Sequence, residues 1–76
     1  MQLQSDIVSP FDGTIRHIAF QVGDAVNEGD AVFSINVDGI EMDILAPACG
    51  FVERVEVGLF ERVIAGMVLA TINESG

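Results

Sequence analysis

The sequence predicts an all-β domain in which two small antiparallel sheets pack face to face. Three observations support this fold class. Apolar residues alternate over short runs, glycine, proline, asparagine and aspartate bound these runs, and the chain repeats itself after 37 positions. No 3.6-residue periodicity of helix length competes with the alternation. Two similar halves joined tightly would relate their sheets by a pseudo-twofold axis.

The internal repeat needs no gap. A shift of 37 positions places SPFDGTIRHIAFQVGDAVNEGDAVFSIN over APACGFVERVEVGLFERVIAGMVLATIN, so that Gly13 meets Gly50. Conservative apolar pairs fill most of the positions between the matched glycines. We therefore expect a single domain over residues 1–76, with repeat halves at about 9–37 and 46–74 and no linker.

Each half begins with a strand whose alternation slips by one position. Ile15 is out of phase with Ile18, and Val52 is out of phase with Val55 in the same way. A slip at matched positions predicts a β-bulge in both copies. Glycines mark the turns that come later in each half, which are predicted around Gly23, Gly29, Gly58 and Gly66.

The two halves are joined by Asp38-Gly39, between the strand-like stretches FSINV and IEMDI. This dipeptide tolerates the two positive φ angles of a type I′ turn, whose twist matches that of paired antiparallel strands. It predicts a tight hairpin with its tip at 38–39, flanked by Val37 and Ile40.

Size and charge restrict the classes of function. Seventy-six residues make one small domain, and because 50% of them are hydrophobic the chain is not a disordered tail. Twelve acidic residues against three arginines give a formal net charge of −9. Nucleic acid is a poor partner, since phosphate binding needs clustered lysine or arginine. The acidity keeps a small domain soluble or forms a docking face for a basic partner.

We expect a cytoplasmic location. Cys49 is the only cysteine, which excludes an intramolecular disulfide and fits a reducing compartment. With His17 as the only other soft ligand, a structural zinc site is not expected, and we predict no metal. The N-terminus MQLQSD has neither a basic start nor an apolar run, and no stretch approaches the ~18 apolar residues that span a bilayer.

The pattern resembles the biotinyl/lipoyl carrier-domain family, the flattened barrels that carry biotin in carboxylases and lipoate in 2-oxo-acid dehydrogenase complexes. The similarity runs from about Ile7 to Ile72. It rests on SPFDGTI, VGDAVNEGDAVFSI, the central hairpin, DILAPACGFV and V-x-x-G-x-x-L in the second half. The resemblance implies a barrel-sandwich hybrid fold and a domain like the biotin carboxyl carrier protein or a lipoyl domain.

The attachment residue of that family is missing. Alignment at Ala46-Pro47 puts the family's modified lysine at Gly39, between Asp38 and Ile40, and the chain contains no lysine at all. A ligase must acylate an amine, and an arginine guanidinium stays protonated. Covalent biotin or lipoate on lysine is therefore excluded, and we expect no cofactor.

No catalytic residue is predicted. A thiolate at Cys49 could act as a nucleophile, but no base lies nearby in sequence, and a lone cysteine is more often a small buried hydrophobe. His17 could serve as a base, although an isolated histidine on a strand is usually a surface residue. Glu41 and Asp43 share one strand face, and with Asp38 they could suggest a weak cation site, but a solvated hairpin face is the better account of them.

Turn positions that are polar in the first half become apolar in the second. Gly-Asp and Asn-Glu of the first half are replaced by Phe-Glu at 60–61 and Ile-Ala at 64–65. Exposed apolar clusters on a small domain usually mark an interface, and the alternative is that these side chains close the core. The interface candidates on this surface and on the hairpin are Asp38, Glu41, Leu59, Phe60, Ile64 and Met67.

The resulting hypothesis is a non-catalytic biotinyl/lipoyl-like domain that acts as a protein–protein interaction or pseudo-carrier module. Its expected partners are subunits of a carboxylase or 2-oxo-acid dehydrogenase, or a second copy of the chain. One alternative is an unorthodox carrier that holds its group noncovalently or through Cys49. Another is the lipoyl-like fragment of a membrane-fusion adaptor, a family that usually inserts a long helical hairpin between the halves.

Overall fold

The computed structural model describes residues 3–74 and has the all-β architecture predicted from the sequence. Its strands are β1 Leu3–Val8, β2 Gly13–Ile18, β3 Ala25–Val26, β4 Ala31–Val37, β5 Ile40–Leu45, β6 Gly50–Val55, β7 Arg62–Val63 and β8 Val68–Glu74. They form two four-stranded sheets with the orders β1-β8-β6-β3 and β5-β4-β2-β7. Every strand pair is antiparallel.

The strand pairs repeat under the same shift of 37 positions. The pairing of β4 with β5 includes Val37 opposite Ile40, and the pairing of β8 with β1 includes Glu74 opposite Leu3. The pairs β2–β4 and β6–β8 correspond in the same way, as do β2–β7 and β3–β6. The correspondence thus extends to β1 and β5, which lie outside the repeat read from the sequence.

Both predicted β-bulges are present. The register of β2 against β4 shifts between Ile15 and His17, and the register of β6 against β8 shifts between Val52 and Arg54. The extra residue reverses the alternation, so that Ile15 and Val52 both point into the core with 0% and 2% of their surface exposed. The slip in the sequence pattern therefore has a direct structural cause.

The core lies between the two sheets and is built mainly from their inner strands. Strands β4 and β8 share the same burial pattern, with four consecutive buried residues in each. The buried apolar side chains are Ile7, Ile15, Val26, Val32, Phe33, Ile35, Ile44, Ala46, Val52, Val57, Val63, Leu69, Ala70 and Ile72. No buried side-chain nitrogen or oxygen of residues 3–74 lacks a hydrogen-bond partner.

Glycine is required where β2 approaches β4 and where β6 approaches β8. A Cβ atom on Gly13 would lie 2.4 Å from the backbone oxygen of Asn36, and one on Gly50 would lie 2.2 Å from that of Asn73. These separations are far below van der Waals contact, so any side chain would push the strands apart. The matched glycines therefore mark close packing within each sheet.

The turns repeat as well, with one departure. Val22-Gly23 turns the chain before β3, and the equivalent turn before β7 is Leu59-Phe60. Gly23 has φ +94°, and Phe60, which occupies its place, has φ +67°. The second half therefore holds a bulky aromatic residue in the left-handed region, where glycine is the usual occupant.

Within residues 3–74, no helix is long and apolar enough to cross a membrane.

Candidate functional site

The hairpin between β4 and β5 projects the tip at which the resemblance places an attachment lysine. Asp38 has φ +51° and Gly39 has φ +82°, as a type I′ turn requires. The Gly39 N–H donates to Oδ1 of Asn36 over 3.2 Å. A Cβ atom built on Gly39 meets no heavy atom within 4 Å, so the tip is open. Neither turn residue offers an amine, and a lysine-linked biotin or lipoate does not fit the residues present.

A cleft of about 550 Å³ lies beside this hairpin. Its lining mixes opposite charges, since Arg62 on β7 faces the same space as Asp12 and Asp38. Asp12 is already engaged, because its Oδ1 accepts the backbone N–H of Ala65 over 2.7 Å. The cleft is lined by Phe11, Asp12, Gly13, Thr14, Asn36, Val37, Asp38 and Arg62.

A second cleft, of about 420 Å³, brings His17, Ser34, Glu41 and Asp43 together across β2, β4 and β5. The Ser34 hydroxyl donates to Oε1 of Glu41 over 2.7 Å, and Nε2 of His17 lies 3.5 Å from the same oxygen. The serine proton is therefore directed to a carboxylate, which does not give the serine–histidine geometry of an activated nucleophile. Among residues 3–74 no group of three or more histidine, cysteine or acidic residues could hold a metal ion.

Cys49 is free and exposed, and the expectation of a small buried hydrophobe is wrong. Its Sγ accepts the backbone N–H of Glu28 over 3.4 Å. The symmetry-related contact is the one from Ala65 to Asp12, so Cys49 occupies the place of a residue that caps a turn. The thiol thus serves as the acceptor at this turn, and a thiol is a weak acceptor.

The interface candidates of the sequence fall into two groups. Asp38 and Glu41 belong to the hairpin, whereas Leu59, Phe60 and Ile64 lie around the edge strand β7 with 52%, 64% and 65% of their surface exposed. Met67 differs from these three, because it is partly buried and packs against the core.

Sequence reasoning missed two arginines near the second group. The guanidinium of Arg16 lies 5.8 Å from the centroid of the Phe60 ring, a cation–π geometry. Arg62 is paired with Thr14 across β7 and β2, and it also lines the hairpin cleft. The signal in the sequence was weak, because the contact of Arg16 with Phe60 joins a strand to a turn far away in the chain.

The family comparison matches most of the chain. Residues 16–72 match the Biotin_lipoyl family, described as biotin-requiring enzyme. The dihydrolipoyllysine-residue acetyltransferase component of the pyruvate dehydrogenase complex from Mycoplasma capricolum is 25% identical over 63 residues. That alignment covers 83% of this chain and 14% of the relative.

Solved structures share the fold. The lipoyl domain of the 2-oxoglutarate dehydrogenase complex from Azotobacter vinelandii superposes with a TM-score of 0.79 at 28% identity, covering 93% of this chain and 98% of that one. Urea carboxylase from Kluyveromyces lactis matches with a TM-score of 0.85 at 29% identity, covering 91% of this chain and 6% of the carboxylase. The chain thus spans a small part of both the carboxylase and the acetyltransferase.

Proposed function

Since this chain belongs to the biotinyl/lipoyl domain family, we propose that it is a non-catalytic, lysine-free member that works by binding proteins. In this proposal it acts as a pseudo-carrier in a carboxylase or 2-oxo-acid dehydrogenase type system. It would occupy the place of a carrier domain without delivering a cofactor. The relatives support this context, because they are components or domains of such enzymes.

One observation carries the proposal, namely an intact and open hairpin tip without a nucleophile. Gly39 stands where the resemblance places the lysine, and its surroundings leave room for a side chain that the chain does not supply. The remaining tip features are the Asp38 carboxylate and the exposed Ile40. A partner that recognises carrier tips could therefore dock here without acylating the domain.

The test is direct binding to purified partners from the same host. The partners are the biotin carboxylase subunit and the decarboxylating subunit of a 2-oxo-acid dehydrogenase, measured by calorimetry at physiological salt. We expect Asp38→Asn and Glu41→Gln each to weaken binding to the cognate subunit by about tenfold, or about 1.4 kcal/mol. Both changes remove a charge and keep an acceptor oxygen, so the turn and the Ser34 contact survive.

The matched control is Glu56→Gln, an exposed carboxylate in the connection after β6. It should leave affinity unchanged. Binding that is indifferent to both hairpin variants would remove the hairpin from the proposal. Absence of binding to either subunit would overturn the association with these enzymes.

A second candidate function is favoured by the exposure of Cys49. A group attached through this thiol would make the domain an unorthodox carrier. Intact mass of the protein isolated from its native host, compared with Cys49→Ser, tests this function. An added mass that the variant lacks would support it, and an unmodified mass would leave only noncovalent loading.

The hairpin also bears on the membrane-fusion adaptor alternative. Val37 and Ile40 pair directly across a two-residue turn, which leaves no room for a helical insertion at this point of the chain. This geometry argues against an adaptor and in favour of a carrier-type domain.

A further inference from the structure

Phe60 adopts a left-handed backbone conformation, and the turn in which it lies does not require an aromatic residue. It has φ +67°, and the symmetry-related residue Gly23 has φ +94°. The two turns make equivalent backbone bonds, from Phe60 N–H to Ile15 over 2.7 Å and from Gly23 N–H to Val52 over 2.8 Å. Glycine would therefore serve the turn equally well. A strained, non-glycine residue that the architecture does not need is evidence for a role outside folding.

The phenylalanine is not alone on this surface. Leu59 and Ile64 are exposed on either side of β7, and Phe11 lies in the adjoining loop, which is tied to the 64–67 turn by the bond from Ala65 to Asp12. Exposed apolar residues that follow one edge strand are typical of an interaction surface. We refer to it as the β7 face, made of Phe11, Arg16, Leu59, Phe60, Arg62 and Ile64.

The β7 face also carries two of the three arginines of an otherwise acidic chain. Arg16 lies over the Phe60 ring, and Arg62 belongs to β7 itself. Among residues 3–74 the ion pairs are those of His17 with Glu41 and Arg54 with Glu56. Neither arginine of the face therefore forms an ion pair with a carboxylate of these residues.

Two of the carboxylates near this face accept backbone N–H groups of its turns, and a third, Asp38 of the hairpin, faces the same cleft as Arg62. Asp12 accepts the N–H of Ala65 over 2.7 Å, and Oε1 of Glu61 accepts the N–H of Gly58 over 2.9 Å. The symmetry-related surface has the opposite character, because Glu53 stands at the position of Arg16 and Ala25 at that of Arg62. The two arginines are therefore specific to one of two faces that share the same strand pairing.

We propose that the β7 face binds a partner segment that combines acidic with aromatic or aliphatic residues. This inference rests on the proposed protein-binding function and names the chemistry of the partner. The apolar side chains of the segment would cover Phe60 and Ile64, and its carboxylates would pair with Arg16 and Arg62. Aromatic and arginine side chains are the residue types that dominate binding energy at interfaces. An acidic ligand for a chain of net charge −9 is the opposite of what the overall charge predicts.

The test is selection of peptides from a random display library against the purified chain in 0.15 M salt. We expect the enriched peptides to carry aspartate or glutamate beside aromatic or aliphatic residues. Their affinity should fall at least about tenfold with Phe60→Gly and with Arg62→Glu. It should also fall as salt is raised, because exposed ion pairs are screened. Phe60→Gly restores the residue of the symmetry-related turn, so the variant is expected to fold.

The matched control is Val22→Ser, because Val22 is 63% exposed at the position symmetry-related to Leu59. This variant should bind the selected peptides as the parent does. The selection contains no enzyme subunit, so its outcome does not depend on hairpin docking. Enrichment of basic peptides, of no peptides, or of peptides indifferent to Phe60→Gly would overturn the proposal. A concentration-dependent dimer that Phe60→Gly abolishes would also overturn it, by assigning the face to a second copy of the chain.

Discussion

At the scale of single residues, the conformation of Phe60 has a measurable effect on stability. An L-residue in the left-handed region costs about 1–2 kcal/mol, whereas the ring gains about 0.5–1 kcal/mol from Arg16 at an exposed site. We therefore expect Phe60→Gly to raise the free energy of unfolding by up to about 1 kcal/mol, which is a rise in Tm of roughly 4–8 °C per kcal/mol for a domain of this size. Thermal and urea unfolding measure both quantities.

Phe60→Ala is the matched control for this prediction. Alanine keeps the left-handed strain and loses the ring, so it should be less stable than Phe60→Gly. If the glycine variant were the less stable of the two, the backbone at Phe60 would not be strained and its conformation would carry no functional argument.

The open space around Gly39 gives a second prediction at this scale. Gly39→Lys meets no steric obstacle, although φ +82° costs an L-residue about 1–2 kcal/mol. We expect the variant to fold and to gain the mass of lipoate or biotin when it is co-expressed with the corresponding ligase. Intact mass spectrometry is the measurement. Ile40→Lys is the control with the amine moved by one residue. Failure of Gly39→Lys to be modified would indicate that the hairpin has lost ligase recognition as well as the acceptor.

Residue types predicted the local backbone conformation better than they predicted the burial and contacts of the side chains. Asp38-Gly39 specifies its own turn, because few other dipeptides tolerate two positive φ angles. Cys49 was expected in the core on the average behaviour of cysteine, yet its place is set by a turn 21 residues away in sequence. The left-handed conformation of Phe60 could not be predicted from the sequence either, because phenylalanine has no preference for positive φ.

At the scale of elements, the two turn caps differ in strength. Asp12 and Cys49 hold symmetry-related turns by accepting one backbone N–H each, over 2.7 Å and 3.4 Å. Asp12→Ala should lower the free energy of unfolding by about 1 kcal/mol, and Cys49→Ala by a few tenths, because a thiol is a poor acceptor. Urea titration of the two variants decides the comparison. Equal losses would show that the caps do not explain the turns.

Element positions were the part of the fold most accessible from sequence. The slip in the apolar alternation predicted both β-bulges, because an inserted residue reverses which side chains face the core. Strands β3 and β7 have only two residues each and leave no periodic signal, so their existence depends on pairing with β6 and β2. Those pairings join distant parts of the chain, and local pattern cannot supply them.

At the scale of the whole molecule, the twofold symmetry relates the hairpin to the place where β1 meets β8. Leu3 lies opposite Glu74 as Ile40 lies opposite Val37, and the remaining pairs of the two ladders correspond one by one. A permuted chain that runs from 40 to 74, then Asp-Gly, then 3 to 37 would therefore make the same strand pairs. It would close β8 onto β1 with the turn that β4 and β5 use in the parent.

We expect this permutant to unfold cooperatively, with a free energy of unfolding within about 1 kcal/mol of the parent, because one two-residue closure replaces another of equal length. Urea unfolding measures stability, and the exchange-protected amides of β4 and β8 report whether the core strands are preserved. A control with Ala-Ala in place of Asp-Gly should be less stable, since alanine resists positive φ. A permutant that failed to fold would show that the symmetry of the strand pairs does not extend to their energetics, and that the Asp38-Gly39 closure is needed where it stands.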